Sequence, residues 1–312
     1  MNHDNSNNTF EYVGEDYVHS ANALFHFVNS SSYLIDALQN KALCPRYCVE
    51  NVRYLNISNG VSNIEEVAVL QKCFCDIPLH MITKPFPIQL TNNNAHLTDA
   101  QRQQIEKEVS HPELYGKYAI AFSKQWGERN KLQPIHYLSE FSESVVAFSE
   151  LFKNMISKDD LSEDIADSLI KWMCFLKPIH GAMPRRYSGE DKFSYEIYKN
   201  FHDEHEWRFV PFNINETDSH FEALIANSKI IKSDMLKTLS NAIAETRFKN
   251  AWIKYEYSDV RYIIVPDYSS RIEIINTILN LDNDSFTEED ANFEKSTLIS
   301  KILVLEEVKK DF

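Results

Sequence analysis

The sequence predicts an α+β fold, and three observations point to it. Short runs rich in aromatic and β-branched residues alternate with longer stretches of helical periodicity. Hydrophobic residues make up 43% of the chain and aromatics 12%, among them 19 Phe and 15 Tyr, enough to build a large core. Neither an internal repeat nor a Pro/Ser/Gly-rich linker divides the 312 residues, so residues 1–312 read as a single α+β domain.

Each element rests on a local pattern. The chain opens with Met1-Asn2-His3-Asp4-Asn5-Ser6-Asn7-Asn8, which is polar and lacks the apolar centre of a signal peptide, and residues 1–15 read as a disordered lead-in. Leu24-Phe25-His26-Phe27-Val28 reads as the first strand. Residues 31–41 form a helix because Tyr33, Leu34, Ala37 and Leu38 fall on one face. A strand is expected at 73–77. Residues 98–109, opening on Thr98-Asp99-Ala100-Gln101, read as a mostly polar helix. Strands at 118–123 and 135–138 follow.

Residues from about 140 to 200 read as a helical insertion. Val145, Phe148, Phe152 and Met155 carry one helix over 143–156, and Leu161, Ile165, Leu169 and Trp172 carry a second over 161–175. Beyond it we expect a strand at 207–212, a helix at 233–248, a strand at 262–266, a helix at 270–281 and a strand at 302–305. The Asn-rich stretch 91–94 and the acidic stretch 282–292 read as loops.

Composition narrows the function classes. Only 6 glycines occur and no two form a G-x-G, which excludes a P-loop and a dinucleotide fingerprint, since both pack several glycines against phosphate. No run of 18 apolar residues suggests a membrane span. Five cysteines, an odd number in apolar surroundings, suit reduced thiols in a cytoplasm better than a disulfide framework. The net charge of −14 argues against a protein that coats nucleic acid non-specifically. The segment 177–192 is nevertheless locally basic, with Lys177, Arg185, Arg186 and Lys192 against Glu190 and Asp191.

Several clusters could carry chemistry. Cys44, Cys48, Cys73 and Cys75 have spacings unlike common zinc sites, so buried free thiols are the expectation and no metal is assigned. The densest polar cluster runs from His202 to Pro211. On a strand there, Glu206, Arg208 and Val210 share one face while Trp207 and Phe209 pack on the other. A carboxylate and a guanidinium two residues apart then project together, either into a cleft or as a structural ion pair. His26 inside its apolar strand and Asp76 ending another are further candidates. The turn–strand–turn segment from His111 to Gly127, with Tyr115, Lys124 and Trp126, completes the set.

In order, Phe25-His26-Phe27, the stretch from Ala42 to Cys48, Cys73-Phe74-Cys75-Asp76-Ile77-Pro78-Leu79 and Tyr115-Gly116-Lys117-Tyr118 resemble the AbiGi-type abortive-infection proteins of bacterial phage defence. Lys124-Gln125-Trp126-Gly127, Pro134-Ile135-His136-Tyr137, Lys177-Pro178-Ile179-His180-Gly181 and Asp203 through Pro211 continue the match. That family in turn resembles, more distantly, ADP-ribosyltransferase toxins that act on nucleic acid. The resemblance implies a central split β-sheet with helical insertions that grips NAD without a glycine loop. It implies Glu206 as the catalytic carboxylate, stabilising an oxocarbenium-like centre, and His26 at the adenosine-side ribose. Arg208 or Lys124 would meet a phosphate, and Tyr115 or Trp126 would stack on nicotinamide. Phe27 and Asp76 complete the NAD-binding set, with Tyr33, Tyr115 or the Asp76 turn standing for the middle element. RNA would be the acceptor and an antitoxin the protein partner. The alternative is a non-enzymatic antitoxin or sensor.

Overall fold

The computed structural model describes residues 21–105, 108–157, 163–187, 192–212, 221–286 and 290–311. The expected disordered lead-in, 1–15, lies outside them. The order begins with β1 (Ala23–Val28), α1 (Ser31–Asn40), β2 (Arg46–Asn51) and β3 (Glu66–Cys75). Next come α2 (Asp99–Gln104), α3 (His111–Tyr115), β4 (Tyr118–Ser123), α4 (Lys124–Arg129), β5 (Gln133–Pro134) and β6 (His136–Leu138). Two helices follow, α5 (Glu143–Ser157) and α6 (Glu163–Met173), and then β7 (Leu176–Pro178), β8 (His180–Tyr187), β9 (Phe193–Asn200) and β10 (Glu206–Phe209). The chain closes with α7 (Met235–Ile243), β11 (Val260–Val265), α8 (Tyr268–Leu279), α9 (Ala291–Ser300), β12 (Ile302–Val304) and α10 (Leu305–Asp311). The architecture is mixed α and β.

A central sheet runs in the order β12-β11-β4-β1-β3-β10-β5. β1 pairs with β4 along its whole length, from Ala23↔Ser123 to Val28↔Tyr118, yet meets β3 at one register pair, Phe25↔Cys75. The earlier part of β3 pairs instead with β2, Arg46↔Gln71 through Asn51↔Glu66. The sheet thus forks along β3. On the other edge, β10 pairs with the end of β3, Glu206↔Cys75 and Arg208↔Cys73.

Alternation along the strands sorts side chains to two faces. Leu24, Phe74, Ile120, Phe122, Trp126 and Ile263 pack into the largest cluster, which also takes Ile274, Ile278 and Leu298 from α8 and α9. Phe25, Phe27, Ala119, Ala121 and Ile264 form a second cluster. Trp207 and Phe209 pack against the first cluster, so Glu206 and Arg208 emerge on the opposite face of β10, as their spacing predicts. α5 and α6 contribute Phe148, Phe152 and Leu169 to a separate cluster with Val67 and Val69 of β3.

The expected helical insertion is corrected in its second half. α5 and α6 end at Met173, and residues 176–178, 180–187 and 193–200 are strands. β8 and β9 form a long antiparallel hairpin stabilised by the stacked Tyr187–Phe193 pair, centroids 4.8 Å apart. β3 starts at Glu66 rather than at residue 73. Its stretch Val67–Leu70 is buried on both faces, and such a continuous apolar run lacks the period-2 signature. The helix expected over 98–109 stops at Gln104 behind a Thr98–Gln101 capping box, and Glu108–Val109 pairs with Phe86–Pro87. The acidic loop ends earlier than expected, because α9 begins at Ala291.

Candidate functional site

At the fork of the sheet lies a cavity of about 640 Å³, lined by β1, β2, β3 and the β6–β8 segments. Its rings include Phe25, Phe27, Tyr54, Tyr115, Tyr198 and Phe201, and its polar groups include His26, Cys48, Cys73, Gln71, Lys177, Glu204 and Glu206. Two buried polar atoms on this wall, Tyr54 Oη and Gln71 Oε1, have no hydrogen-bond partner.

Along that wall runs a largely buried chain of alternating charges. Glu206 Oε1 accepts from Arg208 Nε at 2.9 Å, and Glu206 Oε2 accepts from Lys177 Nζ at 2.8 Å. Lys177 also donates to Glu204 Oε2 at 2.9 Å, and Lys199 donates to Glu204 Oε1 at 2.7 Å. The Tyr115 hydroxyl donates to the same Glu204 oxygen and accepts from Lys199. At the far end Arg208 donates to Glu50 Oε1 at 2.9 Å and to the Cys174 carbonyl at 2.6 Å. Gln71 Nε2 donates to Glu50 as well, at 2.8 Å. Three carboxylates, Glu50, Glu204 and Glu206, therefore balance three cations, Lys177, Lys199 and Arg208.

The elements fix this arrangement. β10 sends Glu206 and Arg208 inward together, and β7 brings Lys177 up beside them. The turn His202–Glu204 ends on His205 at φ 44, between the two glutamates, a left-handed conformation uncommon outside glycine. Exposure is 0% at Arg208, 4% at Glu206, 5% at Glu204 and 2% at Lys199. Burial pushes the Glu206 carboxyl up, but Arg208 and Lys177 outweigh it and hold the group well below the usual carboxylate range. Burial opposes the charge on Lys177, yet Glu204 and Glu206 raise its pKa well above the ordinary lysine value.

The predicted residues separate into three groups. His26, Phe27, Tyr115 and Glu206 meet at the one cavity. His26 Nδ1 lies 2.9 Å from the Cys73 carbonyl oxygen, and burial together with the nearby Lys72 charge lowers its pKa to about 3, so the ring is neutral. Arg208 stands behind Glu206 and does not line the cavity; its guanidinium is committed to Glu206, Glu50 and Cys174. Asp76, Lys124 and Trp126 are placed elsewhere. Lys124 and Asp76 form a buried ion pair at 2.5 Å, and Asp76 also accepts from the Ala21 amide. Trp126 stacks on Phe122 at 4.1 Å within the core, so hydrophobic packing rather than a cofactor accounts for it.

Sequence reasoning missed Glu50 and Lys199 and left Lys177 and Glu204 without a role. The signal for Lys199 is a lysine continuing the inward stripe of β9 after Ile197, both of them buried. Among the described residues no three His, Cys, Asp or Glu side chains converge to hold a metal ion. All five cysteines are free. Nor is any described helix long and apolar enough to cross a membrane.

A family model described as "Putative abortive phage resistance protein AbiGi, antitoxin" matches residues 96–266. That stretch holds Tyr115 and every charged member of the buried network except Glu50. The abortive phage resistance protein AbiGi of Lactococcus lactis subsp. cremoris is 33% identical over 277 residues, covering 87% of this chain and 100% of that protein. No solved structure matches. On both counts the chain belongs to the AbiGi family of abortive phage resistance proteins.

Proposed function

We infer that this chain is the antitoxin of an abortive-infection pair and acts by occupying a toxin rather than by catalysis. The observation that carries the reading is the state of Glu206. Both of its oxygens are taken by Arg208 and Lys177, and it is 4% exposed. A general base must take up a proton near neutral pH, and two cations hold this carboxyl well below that range, whereas a carboxylate balanced inside a neutral network ties β10 to β7. The family's description as an antitoxin supports the same reading. The protein partner is then the toxin, not the antitoxin expected from the transferase resemblance. A net charge of −14 suits a basic partner. Co-expression with each protein encoded next to this chain tests the proposal: we expect a stoichiometric complex with one of them, and separate elution of all of them contradicts it.

A second reading, an NAD-dependent ADP-ribosyltransferase with a nucleic-acid acceptor, is favoured by one observation: His26, Phe27, Tyr115 and Glu206 line one cavity. Its rings suit nicotinamide and adenine. A diphosphate would have to draw on cations that already have partners. Arg53 and Lys177, which line the cavity, are already ion-paired, Arg53 with Glu65 and Lys177 with Glu204 and Glu206. This reading requires nicotinamide release from NAD by the wild type that Glu206→Gln abolishes, and equal background from both proteins removes it.

A further inference from the structure

A second cleft, of about 1050 Å³, opens between the α3–β4 turn and the β8–β9 hairpin. It shares Pro184 with the cavity above. Three cations line it, Lys117, Arg185 and Arg186, against one carboxylate, Glu113. That carboxylate is already engaged by the Ser110 amide and hydroxyl, each at 2.7 Å, and lies near Lys309. Asp267, whose carboxylate caps α8 through the Ser270 amide, also lies in the electrostatic neighbourhood of Lys117. In a chain of net charge −14 this is a local reversal of sign.

Arg185 is set in place by backbone. Its guanidinium donates to the carbonyls of Leu114 and Glu113, the latter at 3.0 Å. Its Nε, by contrast, is buried without a partner. Nε lies too deep to be reached from the cleft, but Nη1 and Nη2 each keep a second hydrogen beyond these bonds. Lys117 and Arg186 are exposed and form no ion pair among the described residues. A fixed guanidinium with spare donors beside two exposed cations matches a phosphoryl group, which accepts several charge-assisted hydrogen bonds at once. The cleft is far larger than inorganic phosphate needs, and Tyr118 and Tyr195 also line it, offering aromatic surface to a planar group.

We propose that this cleft binds a nucleotide through its phosphate monoester, held by Arg185, Arg186 and Lys117. The site is independent of the toxin-binding reading: it stands or falls on ligand binding by the isolated full chain. The same chemistry occurs in a free mononucleotide and at the phosphorylated end of an RNA. Adenosine 5′-monophosphate, adenosine, and one short RNA with a 5′-phosphate or a 5′-hydroxyl are titrated into the protein and followed calorimetrically. Binding of the monophosphate, or of the 5′-phosphorylated RNA alone, supports the proposal and identifies the source. For RNA we expect a log–log salt dependence with slope of about −2, from three cations at roughly 0.7 each. The surface double variant Lys117→Gln/Arg186→Gln should lose at least about tenfold in affinity, near 1.4 kcal/mol, with an unchanged unfolding curve. Arg185→Gln also removes a backbone clamp, so the double variant decides. No binding of either phosphorylated probe, equal binding of adenosine, or undiminished binding by the double variant overturns the proposal.

Discussion

Glu206 and Arg208 stand two residues apart on one strand, and this spacing governs what they do. Their side chains leave β10 on the same face, close enough for Arg208 Nε to reach Glu206 Oε1 at 2.9 Å. Such a pair contributes little beyond a hydrophobic substitute, but removing one partner strands a buried charge. We expect Glu206→Gln to lower the unfolding free energy by about 3–5 kcal/mol, measured by urea denaturation. Deleting the exposed Arg53–Glu65 pair should cost about 1 kcal/mol at most. His26 and His111 add a pH dependence. Burial, aided by Lys72, lowers His26 to about 3; burial, aided by Lys199, lowers His111 to about 4. Both bind protons more readily when unfolded. Their contribution is therefore complete above about pH 6.5 and is lost as the pH falls toward 4 and then 3, at roughly 1.4 kcal/mol per pH unit for each ring. Urea midpoints between about pH 7 and 5 check this, and His26→Gln should flatten the slope.

At the scale of elements, the turn between α3 and β4 illustrates what sequence alone could not say. Gly116 sits at φ 124, and a Cβ there would lie 2.1 Å from the Val28 carbonyl oxygen. Gly116→Ala should destabilise by more than about 1 kcal/mol, seen as a lower thermal midpoint, because neither the φ nor the contact can relax against backbone. β4 was legible residue for residue, since its apolar run is bounded by Gly116-Lys117 before and a capping Ser123 after. α1 and α5 were legible from their apolar faces. The hairpin β8–β9 was not, because its stabilising pairs join residues across the turn rather than along the chain. The charge network was hidden for a related reason. Glu50 and Arg208 meet across 158 positions, and no local pattern announces such a partner. What local pattern did give was the shared face of Glu206 and Arg208, together with the choice between an open cleft and a structural pair.

For the whole molecule, the fork along β3 creates a cavity, and the balanced charges along its wall tie β7, β9 and β10 together. A neutral network of six charged groups, four of them buried and Glu50 and Lys177 partly so, suits a scaffold that presents a surface to a partner. Within it, Glu206 has each oxygen ion-paired, one with Arg208 and one with Lys177. Growth of bacteria carrying this chain and the neighbouring protein that co-purifies with it, each under its own inducer, tests that claim most directly. We expect the chain alone to be harmless, the toxin alone to arrest growth, and the two together to restore it. Arrest by the chain alone, relieved by Glu206→Gln, would contradict the antitoxin reading and return the cavity to catalysis.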